Sequence, residues 1–408
     1  MARIAIYIGR HLCTAPRPVK EADALAAAGH KVTVHGLWSD PRLVARDRLL
    51  MKDRPWRFVP YADCHDGSLR SRFGWFALRA RNRFARALFA RTGRALADLY
   101  GYGSSALLSH AAASDADLLL FHSEGGLLAA DVLKRHGRRV GMDFEDWFSR
   151  DLPPEQREGR PIAELARLEA SALRFGPYVL ATSHAMAEAL AAAYGGPIPS
   201  VIYNTFPADP AAGMVPTAEE DEPVALHWFS QTLGRGRGLE TLFAALPGVS
   251  FDWRLNLLAD DPGNAAADLL RELPASLRSR VEVVPSVPNP ELPAAIARHD
   301  IGLALDVSAI PNRNLTITNK LFQYLQAGLA VVASDTAGHA EVLTQAPEAG
   351  VMFTAGDPAS LAEALNTLGT DRTRLLRARR AARDAASTLF AHERQVPLYA
   401  AIAARALA

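Results

Sequence analysis

Short apolar runs alternate with longer amphipathic stretches along almost the whole chain, and this alternation predicts βα units and parallel sheets. In the first half, strands are expected at 3–9, 31–36, 117–122, 139–144, 178–182 and 200–203. Helical periodicity predicts helices at 18–28, 72–100, 126–135, 161–174 and 184–194. After Asn204 the pattern stops: residues 205–222 carry prolines and an acidic run at 219–222, the signature of a linker. A second alternating series follows. Its strands are expected near 224–229, 253–258, 281–285, 300–306, 329–333 and 351–354, and its helices near 238–246, 264–272, 290–298, 319–327, 358–367 and 371–387. The predicted fold class is therefore α/β, with two doubly wound, Rossmann-like domains. They span 1–204 and 223–388, and a last helical segment occupies 389–408.

Composition narrows the function classes. With 45 basic against 44 acidic residues the chain has a net charge of +1, which excludes a globally basic nucleic-acid binder. Two cysteines, Cys13 and Cys64, make neither a disulfide framework nor a paired-cysteine metal site. The apolar run at the N-terminus stops at Gly9, too short for a secretory signal, and no stretch approaches the ~18 to 20 apolar residues of a membrane span. A cytoplasmic, soluble protein is the expectation.

In doubly wound sheets ligands lie at the carboxyl ends of strands, so the strand-to-helix junctions hold the candidate chemistry. Residues 230–242 follow a predicted strand with glycines at 234, 236 and 238 and with Arg235 and Arg237. Glycines allow close backbone approach, arginines supply charge, and the following helix offers free N–H groups, a combination suited to a diphosphate. A flexible turn with two solvated arginines is the alternative. A second polar loop, from 310, leads into the helix expected at 319–327, and the hydroxyls of Thr316 and Thr318 could receive phosphate oxygens. Lys320 falls in that helix's first turn, where a cation opposes the dipole unless an anion sits nearby. Simple N-capping by Thr318 or Asn319 is the alternative for this loop.

These junctions carry a resemblance. The second half is similar to the donor domain of the group 1 glycosyltransferases, a GT-B family whose members carry a Gly-Arg-x4-Lys-Gly-Leu loop. Their next motif is a Lys-Leu-x-Glu-Tyr helix that runs into a Gly-x-x-Val-Val strand. Arg237-Gly238-Leu239 and Lys320 to Val332 match these motifs, and Thr182 to Met186 and Val201 to Asn204 match in order before them. The sequence departs at three places. The loop's earlier Arg falls on Thr232, and the family's pair of glutamates falls on Leu315 and Gln323. The resemblance implies two domains facing across a cleft, with the last helix crossing back to the first domain. It also implies retaining transfer of a sugar from a UDP- or GDP-sugar to an acceptor hydroxyl, on a small molecule, glycan or lipid. Ser230, Arg235, Arg237 and Lys320 would then hold the diphosphate, Gln323 the ribose, and the first domain the acceptor. No cofactor is implied, and with no acidic pair suited to a sugar-diphosphate metal, no metal is expected.

In the first half His122 ends a predicted strand, and by resemblance it stands near the reacting sugar; a buried structural His is the alternative. Strand alternation puts Asp143 and Glu145 on one face, where they could position acceptor hydroxyls or act as a base. An acidic helix N-terminus is the other reading of that run. Gly9, Arg10, His11 and Arg17 follow the first strand and are candidates for the same cleft, with Arg17 toward phosphates or an anionic acceptor. Residues 70–94 carry eight arginines and no acid, interleaved with five aromatics. A core-packed helix with a solvated Arg face is the first reading, and peripheral contact with an anionic membrane the second. Two rival functions share the fold: a sugar-nucleotide 2-epimerase working through Asp143 or Glu145, and a non-catalytic nucleotide-sugar-binding protein.

Overall fold

The computed structural model describes residues 1–207 and 222–408. Most of the expected linker, 208–221, lies outside the described residues. The chain divides into two compact units, Met1–Ile202 with Gln395–Ala408, and Tyr203–Arg394.

The first unit is built on a parallel sheet of β1 (Arg3–Ile8), β2 (Lys31–His35), β4 (Arg57–Phe58), β6 (Leu118–His122), β7 (Val140–Phe144), β8 (Val179–Ala181) and β9 (Ser200–Val201), in the order β4-β2-β1-β6-β7-β8-β9. A small pair, β3 (Leu37–Trp38) and β5 (Ala62–Asp63), lies apart from it. Strands buried on both faces must be apolar throughout, and β6 and β7 are buried at every position. One face of β1, Ile4, Ile6 and Ile8, shares a core with Leu118, Leu120, Leu180 and with Tyr399, Ile402 and Ala403 of the C-terminal helix His392–Leu407. The register sets Ile8 beside His122, so β1 and β6 end together.

The second unit is a six-stranded parallel sheet, order β12-β11-β10-β13-β14-β15. Its strands are β10 (Val224–Thr232), β11 (Trp253–Asp260), β12 (Val281–Val284), β13 (Ile301–Ala304), β14 (Ala330–Ser334) and β15 (Gly350–Phe353). Trp228, Leu257, Leu303 and Val332 join the core on one face, and Phe229, Ala304, Val331 and Ala333 on the other. Gly302 exists because the Tyr324 ring lies where its Cβ would be, 2.2 Å from Cγ.

Several elements differ from the sequence expectation. Helices Pro41–Met51, Ser104–Ala112, Pro311–Leu315 and Ala337–Leu343 form where none was expected. The first starts from Asp40, whose carboxylate accepts from Arg42 N, followed by Pro41 at the first helical position. The single helix expected at 72–100 is Leu69–Thr92, closed by Gly93 at φ 68° and followed by a 3-10 turn, Ala97–Tyr100. The arginines of this helix are solvated, as the first reading of 70–94 has it, but its core packing is slight. Only Ser71, Leu78 and Ala85 are buried on it, whereas Phe73, Phe76 and Phe84 stand in solvent.

Candidate active site

In the second unit the cationic groups converge at the carboxyl edge of the sheet. Arg237 follows β10 and donates from Nη1 to Ser230 Oγ at 2.8 Å. Gly238 makes the turn: its φ is 80°, and a Cβ there would meet Leu305 O at 2.0 Å, so only glycine brings the loop this close to β13. Arg313, on the short helix Pro311–Leu315, donates to Gly236 O and thereby ties the second loop to the first. Lys320 stands in the first turn of Asn319–Ala327 with Nζ 5.7 Å from the centre of the Trp228 ring.

The electrostatics of this group turn on one carboxylate. Asp306, just past the end of β13, lies 3.4 Å from His339 Nε2. Burial pushes its pKa up, yet Lys320, His339 and Arg313 hold it well below the usual carboxylate range. Two of the cations are lowered as well. Burial and the charges of Arg237 and Arg313 lower Lys320, against the pull of Asp306. Burial and Arg313 likewise lower Arg237. Three cations thus surround a single acid in a half-buried setting, leaving uncompensated positive charge that an anion would satisfy.

Other expected members lie differently. Arg235 is 60% exposed and paired with Glu272, on the helix Ala265–Glu272, at 2.6 Å, outside the cluster. Thr316 donates its hydroxyl to Asn312 Oδ1 at 3.1 Å. Thr318 occupies the N-cap position without a side-chain cap bond. Gln323, one turn after Lys320, lines a small cavity with Phe206, Pro293 and Ile296. Asp306 and Arg313 were missed from the sequence. The polar residue directly after an apolar strand was the available signal for Asp306; Arg313 had none beyond its place in a polar loop.

In the first unit a buried network gathers at the ends of β1, β6 and β7. His122 is held between Glu21 Oε2, 2.6 Å from Nε2, and Glu145 Oε1, 2.7 Å from Nδ1. Burial alone would lower its pKa, but Glu21 and Glu145 raise it well above the usual value, which favours a ring that donates from both nitrogens. Neither nitrogen is open to take a proton. Tyr178 donates to the other oxygen of Glu21 at 2.6 Å.

Arg17, expected along an open cleft, is fully buried. Its Nε donates to Asp143 Oδ2 at 2.6 Å and Nη1 to Ile202 O at 2.5 Å. It closes the sheet's carboxyl edge rather than facing an external anion, because the adjoining carboxylate and carbonyls desolvate it with partners already in place. Asp143 is 1% exposed, whereas Glu145 is partly open, so their shared face does not give them equal access. His11 is spent on Asp47 and on the backbone of Ser39 and Asp40. Gly9 remains half-buried, with Ser123 Cβ 3.1 Å from where its own Cβ would be. Glu21 was missed from the sequence, since helical spacing alone cannot tell an inward acid from a solvated one.

Glu21, His122 and Asp143 come within 4.8 Å of one another, a set that sequence spacing had left scattered. Their polar atoms are engaged with neighbouring side chains: Arg17 pairs with Asp143, and Glu21 and Glu145 flank the His122 ring.

Residues 228–371 match the family model described as Glycosyl transferases group 1, a stretch holding the whole Arg237, Arg313 and Lys320 cluster. No curated protein matches the chain in sequence. Among solved structures the chain is similar to sucrose-phosphate synthase from Thermosynechococcus elongatus, at 16% identity and a TM-score of 0.71, over 99% of this chain and 98% of that one. It is also similar to HepE of Anabaena, at 17% identity and a TM-score of 0.69, over 99% and 100%. A glycosyltransferase from Rickettsia africae matches at 13% identity and a TM-score of 0.65, over 98% of each chain. The fold is thus GT-B, with two Rossmann-like units.

Proposed function

We propose that the protein is a glycosyltransferase that moves a sugar from a UDP-sugar to an acceptor hydroxyl, with retention at the anomeric carbon and without a metal ion. The observation that carries the reading is the surplus of positive charge made by Arg237, Arg313 and Lys320 around Asp306. As the bond from the anomeric carbon to phosphate breaks, negative charge grows on the diphosphate, and cations fixed beforehand stabilise that change most. Ser230 holds Arg237 in place, the Thr318 hydroxyl and the neighbouring backbone receive phosphate oxygens, and Gln323 pairs with the ribose hydroxyls. UDP is favoured over GDP because HepE of Anabaena has been solved with UDP-glucose.

The acceptor belongs to the first unit, beside Gly9 and the open side of Glu145. Inversion would need a free base there. His122 is hydrogen-bonded at both nitrogens, Asp143 is bound by Arg17, and Glu145 is itself held by His122. The acceptor proton then passes to an oxygen of the departing diphosphate on the same face, while the acceptor oxygen bonds to the anomeric carbon. His122 positions Glu145 toward the acceptor.

The test is UDP release from UDP-sugars with a panel of hydroxyl acceptors in excess EDTA, with product configuration read by proton NMR. Acceptor-dependent release and a retained anomer are expected. A strict Mg²⁺ requirement or an inverted product would overturn the mechanism. UDP release with an epimerised sugar and no acceptor would make the chain a 2-epimerase.

A further inference from the structure

The helix Leu69–Thr92 has two apolar faces, and only one of them is used by the fold. Its inward face is marked by Ser71, Leu78 and Ala85, spaced seven residues apart, as one side of a helix requires. A second apolar stripe, Leu69, Phe73, Phe76, Ala80, Phe84 and Ala87, follows spacings of three and four on the opposite side. These positions are exposed, and the four large side chains are 62% to 83% accessible.

Charge frames the stripe. At about 100° per residue, Arg70 and Arg81 fall along one border and Arg72, Arg79, Arg83 and Arg86 along the other, all of them exposed. No acidic side chain interrupts the helix. Its 24 residues give a length of about 36 Å.

We propose that this helix docks the protein on an anionic phospholipid bilayer, lying in the interface plane with the phenylalanine stripe at the acyl boundary and the two arginine rows on lipid phosphates. Charge complementarity selects that occupant. An apolar centre between cationic borders matches the headgroup-to-acyl transition, whereas a nucleic acid would call for charge along the centre line. The helix lies on the membrane and does not cross it: no described helix is long and apolar enough to span. Docking deepens the proposed function by making a membrane-borne hydroxyl acceptor accessible, and it rests on that reading only for the acceptor's identity.

The test is flotation of the full chain with vesicles of phosphatidylcholine and phosphatidylglycerol in equal parts, against phosphatidylcholine alone. Binding to the anionic vesicles only, reversed by high salt, is expected. Phe73→Ser/Phe76→Ser/Phe84→Ser and Arg79→Gln/Arg83→Gln/Arg86→Gln should each weaken binding more than tenfold. Both replace exposed residues, so circular dichroism and nucleotide binding should stay as in the parent. That separates a failure of docking from a failure of the transferase reading. No vesicle binding by the parent, or unchanged binding in both variants, would overturn the proposal. So would a dimer in light scattering that the phenylalanine variant dissolves, since a second copy would then occupy the stripe.

Discussion

Arg17 and Arg237 are both arginines at strand-to-helix junctions, and they do opposite things because one has its counter-charge built in. Arg17 is sealed against Asp143, so removing it leaves a buried carboxylate without a partner. Arg17→Met should lower stability by about 3–5 kcal/mol. The double replacement Arg17→Met/Asp143→Leu should recover most of that loss, as read by urea denaturation; equal loss in single and double variants would refute the pairing. His122 carries a pH signature. Its folded pKa is raised, so the stability it adds is complete below the ordinary value near about 6.5 and fades as pH climbs through the folded value. Nitrogen NMR at about pH 8 should still find both ring nitrogens protonated, and a neutral ring would refute the Glu21–His122–Glu145 arrangement. The sequence placed His122 at a strand end and Asp143 two residues before Glu145. It could not show that Glu21 and Arg17, more than a hundred residues away, would take up their polar atoms, because those partners are set by the packing of Pro16–Ala27 on the sheet.

At the scale of elements, the second unit was the more legible. The helix Asn319–Ala327 and strand β14 fall where periodicity put them, because Gly328 at φ 70° ends the helix and a β-branched run follows. The helices Pro41–Met51 and Pro311–Leu315 were not legible: the first buries only Val44 and Asp47, so its apolar face is weak, and the second is five residues long. The exposed stripe on Leu69–Thr92 was hidden for a different reason: aromatic spacing looks the same whether the face meets the core or the solvent. Close packing gives a sharp test of the second sheet. Gly302→Ala gains about 0.4–1 kcal/mol from a stiffer unfolded chain. Overpacking of the Tyr324 ring costs about 1–3 kcal/mol, since hydrogen bonds to His227 O and Leu303 O fix that ring. Overpacking wins, and thermal unfolding should show a net loss; a neutral or stabilised variant would mean that Tyr324 is free to move.

For the whole molecule, the central claim is that one cationic cluster in the second unit holds a nucleoside diphosphate by its phosphates. The most direct measurement is calorimetric titration of UDP and of uridine into the parent, Arg237→Ala and Arg235→Ala. Arg237 sits in the cluster, and the charge-assisted bond it offers is worth about 1.5–3 kcal/mol, or about ten- to a hundredfold in affinity. Arg235 is spent on Glu272 at the surface. UDP should therefore weaken about ten- to a hundredfold in Arg237→Ala and change little in Arg235→Ala, while uridine binds all three alike. Unchanged UDP affinity in Arg237→Ala, or an equal loss for UDP and uridine, would contradict a phosphate site built on that cluster.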